Sequence, residues 1–272
     1  MKDTIKIEEF VENMKSRDLK GHQNIHIKKQ TSDMKKIVIF TGAGVSQESG
    51  LPTFRGEGGI WNMIDAEKVA DYRSWYCGRR SDCNERRQAV LDFFNPIRRM
   101  ILQGEPNEAH HLIAGLESMH EVTVITQNGD DFHERAGSSK VIHLHGEALK
   151  NTSTLRPYKP VEIDPSNPDI KIGDKASDGS QIRPYVVFFN ENLQYGVLRQ
   201  ASQAIREADI MIIIGCSLKV FPAARLVEDV RKEANVIVID PCESPLPIKH
   251  LYTHLRLPAS KGMRAISEMI ME

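Results

Sequence analysis

Apolar residues along this chain gather into short unbroken runs, separated by amphipathic stretches and by polar loops. Ile37 to Phe40, Val122 to Ile125 and Asp209 to Gly215 are rich in β-branched residues and show no polar alternation, which reads as strands buried on both faces. Val141 to Gly146 and Tyr185 to Phe189 read as shorter strands, and Asn235 to Asp240 as the strand that closes the sheet. Between them, Glu85 to Gln103 predicts a helix with Val90, Phe93, Phe94, Ile97 and Ile101 on one side and a kink at Pro96. Asn107 opens a second helix running to about Met119, and Gln194 to Ala208 and Met263 to Met271 predict two more. Ile7, Phe10, Val11 and Met14 form one helical stripe, followed by a linker from Gly21 to Asp33. Residues 1–33 therefore read as an N-terminal extension, and residues 34–272 as one domain. Two stretches interrupt its strand pattern, at about 61–103 and 147–183, and read as insertions that build a small module. The second is polar and turn-rich, with Pro157, Pro160, Pro165, Pro168, Gly173 and Gly179.

The first strand ends in Thr41, Gly42, Ala43 and Gly44. Two glycines one residue apart permit positive φ and let backbone approach a ligand with no Cβ between. A helix starting near Val45 would turn its free N–H groups toward that ligand, and a pyrophosphate is the usual occupant. An ordinary strand-to-helix turn is the alternative. The common dinucleotide fingerprint is incomplete: Gln47 stands where a third glycine belongs, and Asp65, about 20 residues on, follows no apolar strand. The pattern thus suits a dinucleotide but not ordinary hydride transfer. Ser49 to Gly56 then packs Gly50, Pro52, Phe54, Arg55 and Gly56 into one loop, which reads as a mobile cover over a cofactor.

Past the second strand lie Gln127, Asn128, Asp130 and His133, where open α/β sheets place ligand chemistry. His145 ends the next strand beside this cluster; taken alone it could as well be structural. His110 and His111 lie on a helix with no ligand-spaced partner and read as structural, not metal-binding.

Composition narrows the partners. The chain has 272 residues with 36 basic and 37 acidic side chains, a net charge of −1, so nothing points to nucleic acid or an anionic membrane. No apolar run approaches the roughly 18 residues that span a bilayer. A charged N-terminus argues against a secretory signal, and the compartment expected is the cytoplasm. Cys77, Cys83, Cys216 and Cys242 lack regular pairing and suggest no disulfide framework.

These motifs together resemble the sirtuin family. Gly42, Ala43, Gly44 and Ser46 through Phe54, Arg55 and Gly56 resemble its first signature, with Thr53 where the family usually has aspartate. Gln127, Asn128, Asp130, His133, Ala136 and Gly137 stand in register with the second, with Gly129, Asp131 and Phe132 as departures. Arg183 through Glu191 resembles the segment that pairs with a substrate peptide, with Asn190 replacing a glycine but tolerating left-handed φ. Gly215, Cys216 and Ser217 match a further motif, with Cys216 for threonine. Asp240 stands where the family usually has asparagine, and a carboxylate there suits a ribose hydroxyl pair. The resemblance covers residues 36–242. It implies a doubly wound parallel sheet with a small, partly helical inserted module.

The same resemblance implies NAD as cofactor, an acyl-lysine protein or peptide as substrate, and NAD-dependent removal of the acyl group. His145 is implied as the general base and Asn128 as a catalytic partner. Gly42, Ala43, Gly44, Ser46, Phe54, Arg55, Gln127, Asp130, Gly215, Cys216, Ser217 and Asp240 are implied in cofactor binding. Val187, Phe188, Phe189, Asn190 and Glu191 are implied along the peptide. Gly129 is expected to hold the nicotinamide amide less firmly than isoleucine does. Most members bind a structural zinc through two cysteine pairs in the second insertion, which here contains no cysteine, so no metal is expected. Members that prefer succinyl lysine carry a tyrosine and an arginine where this chain has Phe94 and Ile97, so acetyl or a longer apolar acyl group is expected. Arg98 and Arg99 follow directly, and a kink at Pro96 would turn one of them inward. An NAD glycohydrolase or ADP-ribosyltransferase using the same pocket, or a non-catalytic NAD-binding module, are the alternatives.

Overall fold

The computed structural model describes residues 34–56, 58–242, 246–248 and 251–271. The apolar stripe of residues 1–33 and Glu57 lie outside them. In chain order, β1 (Lys36–Thr41) leads through a 3-10 helix (Ala43–Ser49) to the one-turn helices α1 (Ala66–Val69) and α2 (Tyr72–Trp75) and the long α3 (Cys83–Gln103). Next come α4 (Glu108–Gly115), β2 (Glu121–Thr126), α5 (Phe132–Arg135), β3 (Val141–His143), β4 (Gly146–Ser153), β5 (Val161–Glu162) and β6 (Ile182–Val186). Then follow α6 (Tyr195–Glu207), β7 (Ile210–Ile214), a 3-10 helix (Ala223–Asp229), β8 (Asn235–Ile239), β9 (Thr253–Leu255) and α7 (Ala259–Met271).

Six parallel strands form the main sheet in the order β3-β2-β1-β7-β8-β9. Alternation splits each strand between two layers. Val38, Phe40, Met211 and Ile213 face Ala201 and Ile205 of α6, whereas Ile37, Ile39, Ile212 and Ile214 face Ile113 of α4 and Met263 of α7. Each such fully buried apolar side chain contributes about 1.5–3 kcal/mol, which is why these runs carry no polar residue. Asn107 caps α4 as expected, its side chain accepting from Ala109 N at 2.9 Å. α3 continues through Pro96 to Gln103.

Several expectations are corrected. No α-helix starts at Val45; the segment is a 3-10 helix from Ala43 to Ser49. β8 does not close the sheet, because β9 pairs outside it through Ile237–Thr253, Val238–His254 and Ile239–Leu255. The second insertion is not only turns: β4 pairs antiparallel with β5 and β6 in a three-stranded sheet. Its residues Lys150, Asn151 and Thr152 find polar partners on both faces, in Glu147, Arg98 and the carbonyls of Arg156 and Lys159, and that lack of apolar alternation hid the strand. The run ending at Phe189 is a strand only to Val186; beyond it Val187 N pairs with His145 O and Phe189 N with Ala70 O. The C-terminal helix begins at Ala259. Cys77 and Cys83 are joined in a disulfide, contrary to expectation, because a turn at Gly78 (φ +66°) brings their Cα atoms to 5.5 Å.

The small module joins α1–α3 to the β4–β6 sheet. Trp75, Val90 and Leu91 pack on Ile170 and Phe188, and Asn95 exchanges hydrogen bonds with the backbone of Ile170. Among the described residues no cluster of His, Cys, Asp or Glu could hold a metal ion, and no helix is long and apolar enough to cross a membrane.

Candidate active site

The chain runs outward from β1 through β2 to β3, then returns to the other side of β1 as β7, β8 and β9. The winding reverses between β1 and β7, and it is beyond the carboxyl ends at such a reversal that sheets of this kind bind ligands. The glycine loop sits there, for a different reason from the one its sequence suggested. Gly42 has φ −123° and Gly44 is not left-handed either. Their missing side chains make room for Gly215 after β7: a Cβ on Gly42 would stand 2.7 Å from Gly215 O, and one on Gly44 2.6 Å from Gly215 Cα. Gly42 N donates to Ile214 O at 3.1 Å and Gly44 N to Gly215 O at 3.0 Å, so the two strand ends are stitched together. Asn107 fastens the 3-10 helix from below, donating to Val45 O at 2.7 Å and Ser49 Oγ at 3.0 Å.

Ser46 turns inward from this helix and meets the loop after β2. Its hydroxyl donates to Asp130 Oδ2 at 3.0 Å and accepts from Asn128 Nδ2 at 3.1 Å. All three residues are buried. Burial pushes the Asp130 carboxyl up to about 6, against the hydrogen bond from Ser46, which lowers it. Asn128 N donates to Thr126 Oγ1 at 3.0 Å, and Gly129 O accepts from Ala148 N at 2.7 Å. The backbone at Gly129 is therefore anchored to β4 despite its lack of a side chain.

His145 lies between β3 and β4 instead of ending β3, and the Gln127 carbonyl lies 3.1 Å from its Nδ1. A carbonyl only accepts, so Nδ1 carries the proton and Nε2 is the bare, basic nitrogen. Among the described residues Nε2 has no hydrogen-bond partner. Burial lowers the His145 pKa, while the Gln127 carbonyl raises it in part. Two residues away, His143 differs. Its Nδ1 lies 3.1 Å from Asn128 O and its Nε2 2.7 Å from Glu134 Oε1, so both nitrogens donate. Burial opposes its charge, but the Glu134 hydrogen bond and carboxylate outweigh that and raise its pKa.

On the β7 side, Gln127 Nε2 donates to Cys216 Sγ at 3.2 Å. Burial pushes the Cys216 thiol up to about 12, so it is neutral and an acceptor here, not a nucleophile. Ser217 is half-buried next to it. Asp240 stands at the end of β8, accepting from Cys242 N at 2.8 Å, and burial raises its carboxyl. Ala43 is half-buried, while Arg55 is exposed.

The remaining wall is apolar. Phe54 stacks on Trp61 at 5.3 Å, Trp61 stacks on Phe93 at 5.3 Å, and Phe189 meets Trp61 edge-on at 5.8 Å. Phe94 and Ile97 join this cluster from α3. Asn190 adopts φ +62°, the left-handed turn its side chain tolerates, and its amide reaches Asp71 Oδ2. Glu191 points inward instead of lining the edge. It pairs in a fork with Arg183, at 2.9 Å for both bonds, and accepts from Phe188 N at 2.9 Å. Val187 and Phe188 thus lie on a segment held by a buried ion pair, their N–H groups bonded to His145 O and Glu191 Oε2.

Sequence reading missed Trp61, which holds Phe54, and the pair His143 and Glu134, which fix the backbone of Asn128. Tryptophan in an insertion and a histidine on an edge strand carry no pattern that announces such roles. Arg98 is turned inward, fully buried, with Nη2 on Asn151 Oδ1 at 2.8 Å, whereas Arg99 pairs with Asp169 on the surface.

A parallel α/β sheet with its polar cluster at the winding reversal defines a nucleotide-binding class of protein. Residues 42–222 match the Sir2 family, and the chain belongs to that family. It is 41% identical over 241 residues to an NAD-dependent protein deacylase of Bacteroides thetaiotaomicron, covering 87% of this chain and 98% of that protein. A protein of the same description from Helicobacter pylori is 42% identical over 208 residues, covering 76% and 83%. Among solved structures, a complex of a Sir2 homologue with NAD superposes with TM-score 0.75 at 34% identity, covering 92% of this chain and 94% of that one. A Sir2 protein bound to a p53 peptide and NAD+ gives 0.70 at 29% identity, covering 97% and 98%.

Proposed function

We propose that this chain is an NAD-dependent protein deacylase that removes acyl groups, acetyl foremost, from lysine side chains and releases nicotinamide. The observation that carries the reading is His145, its Nδ1 locked on the Gln127 carbonyl and its Nε2 bare, beside the Ser46–Asn128–Asp130 network. The residues present fit NAD. Gly42 and Gly44 let the ends of β1 and β7 close up on Gly215, and Asn128, Asp130 and Ser46 offer the mixed donors and acceptors that ribose hydroxyls and a carboxamide need.

When bound, NAD supplies the nicotinamide–ribose bond that is exchanged for a bond to the acyl oxygen. Asn128 and Asp130 orient the ribose and the amide. His145 Nε2 accepts a proton from a ribose hydroxyl, a task suited to a neutral imidazole. Phe54 and Trp61 exclude water from the reacting face, and the segment Val187 to Phe189, whose N–H groups are already paired within the chain, offers the Val187 carbonyl to an extended peptide. Orientation is the main contribution, since no strong base is placed here. Incubation with NAD and an acetyl-lysine peptide should yield nicotinamide and O-acetyl-ADP-ribose in equal amounts. Free ADP-ribose formed at the same rate without peptide would replace this reading with NAD hydrolysis.

A further inference from the structure

Cys77 and Cys83, six positions apart, close the turn between α2 and α3, and the chemistry above makes no use of them. The backbone bonds inside that turn are long. Arg80 N reaches Cys77 O at 3.4 Å and Cys83 N reaches Arg80 O at 3.3 Å, beyond the ordinary range of about 2.7–3.2 Å. Arg80 and Arg86 both grip Asp82 near the surface, where such pairs hold weakly. The disulfide is therefore the firmest tie across the turn.

The stretch that it fastens also carries the segment from Val187 to Glu191. Ala70 O accepts from Phe189 N at 2.8 Å, and Tyr72 N donates to Phe189 O at 2.8 Å. The Tyr76 hydroxyl accepts from Arg183 Nη1 at 3.1 Å and donates to Thr154 O at 3.0 Å. Trp75 is fully buried and packs with Phe188. α2 is one turn long, too short to hold itself in water, so these residues keep their places through such ties. One end of the stretch is clamped to Phe189, and the other ends at Cys77.

The disulfide is also within reach of a reactant. Cys83 is half-buried, and Cys77 lies in the wall of a cleft of about 420 Å³ together with Arg73, Arg80 and Arg86. Guanidiniums near a sulfur favour its thiolate, which makes it a good leaving group. A reduced Cys77 has an acceptor in place, because its Sγ lies 3.5 Å from Trp75 O.

We propose that Cys77–Cys83 is a thiol–disulfide exchange site opened by a thiol reductant, and that its redox state sets how firmly the Val187 to Glu191 segment is held. A reductant thiolate attacks the more exposed Cys83 Sγ. The S–S bond breaks, and Cys77 leaves as a thiolate that takes up the proton the reductant released. A second reductant thiolate attacks the mixed disulfide at the reductant's own sulfur, and Cys83 leaves and is protonated in turn. Two electrons pass to the protein, and the reductant ends as its disulfide.

Trypsin cleaves after Arg79 and Arg80, so the fragments bearing Cys77 and Cys83 stay joined only while the disulfide is intact. With the full chain equilibrated in mixtures of reduced and oxidised glutathione, the joined pair should give way reversibly to two free thiols as the reduced form increases. A pair that stays joined, or stays free, at every ratio overturns the exchange site. The kinetic arm rests on the deacylase reading. Reduction should raise KM for an acetyl-lysine peptide by about fivefold, the worth of roughly one hydrogen bond, with KM for NAD within about twofold. Cys77→Ala and Cys83→Ser should each hold the reduced value and stop responding to glutathione. An unchanged peptide KM on reduction, an equal rise in both constants, or a response that survives in Cys83→Ser overturns the link to the peptide segment. Should the protein not deacylate at all, the glutathione titration still decides the exchange site.

Discussion

His145 carries the sharpest statement at the scale of single residues. Its base form needs Nε2 free of a proton, and the Gln127 carbonyl leaves that nitrogen bare. Since burial holds the pKa below the ordinary 6.5, the ring is in its working form at neutral pH. The acid limb of kcat should therefore lie below pH 6.5, with rate rising as pH climbs through it. His145→Ala should reduce turnover by about 10²–10⁴-fold, the range of a lost general base, and abolish that limb. NAD affinity by calorimetry should change less than about twofold. Deacylation at near-wild-type rate in this variant would remove the assigned role. The types and order of Gln127, Asn128, Asp130 and His145 were readable from the chain. That one serine, Ser46, bridges Asn128 and Asp130 was not, because those partners are more than eighty residues away in sequence.

Two elements of the small module set what the site accepts. The segment from Val187 to Glu191 is held by Arg183, whose guanidinium forks onto Glu191, lies 4.1 Å over the Phe188 ring and donates to the Tyr76 hydroxyl. Arg183 and Glu191 side chains are 1% and 5% exposed, so solvent cannot replace a lost partner. Arg183→Met should cost about 3–5 kcal/mol, the penalty of leaving Glu191 buried and alone, read from denaturant unfolding. A loss below about 1 kcal/mol would place this pair with weak surface bridges. α3 supplies the other control. Phe94 and Ile97 give the wall no cation, and the inward Arg98 is directed to Asn151 on β4. Arg98 keeps Nε and Nη1 unpaired among the described residues but is turned toward β4, so Phe94 and Ile97 themselves offer a succinyl carboxylate nothing, and acetyl-lysine should exceed succinyl-lysine by at least about tenfold in kcat/KM, roughly 1.4 kcal/mol. Faster succinyl removal that Arg98→Met abolishes would reverse that conclusion.

For the molecule as a whole, burial of titrating groups links stability to pH. His110 has a folded pKa of about 4 against 6.5 when free, so the unfolded chain takes up its proton first as pH falls. Its contribution is complete above pH 6.5 and is lost progressively toward pH 4, on the order of 3 kcal/mol. Asp130 works in the opposite sense. Its folded carboxyl keeps a proton up to about pH 6 against 3.8 when free, so its contribution grows as pH falls through that window. The clean measurement is thus a difference. The stability gap between the wild type and His110→Phe should shrink by about that amount between neutral pH and pH 4. A gap independent of pH would mean that His110 is not buried neutral.

The sequence by itself determined the buried strands and the order of the polar motifs behind them, and through its family resemblance it implied the ligand. Ile37 to Phe40 and Ile210 to Ile214 carry no polar residue, which reads as strands buried on both faces. What it left open depended on contacts between distant segments. Gly42 and Gly44 announced a close approach, yet only the β1–β7 pairing reveals that the near neighbour is Gly215 backbone. The polar strand β4 and the three-residue β9 carry too little apolar periodicity to stand out, and their pairing partners decide them. Cys77 and Cys83 lacked any regular spacing, and a left-handed turn at Gly78 brings them together. Local pattern fixes which face of a segment is apolar. Which polar groups are buried, and in what protonation state, depends on neighbours that only the folded chain assembles.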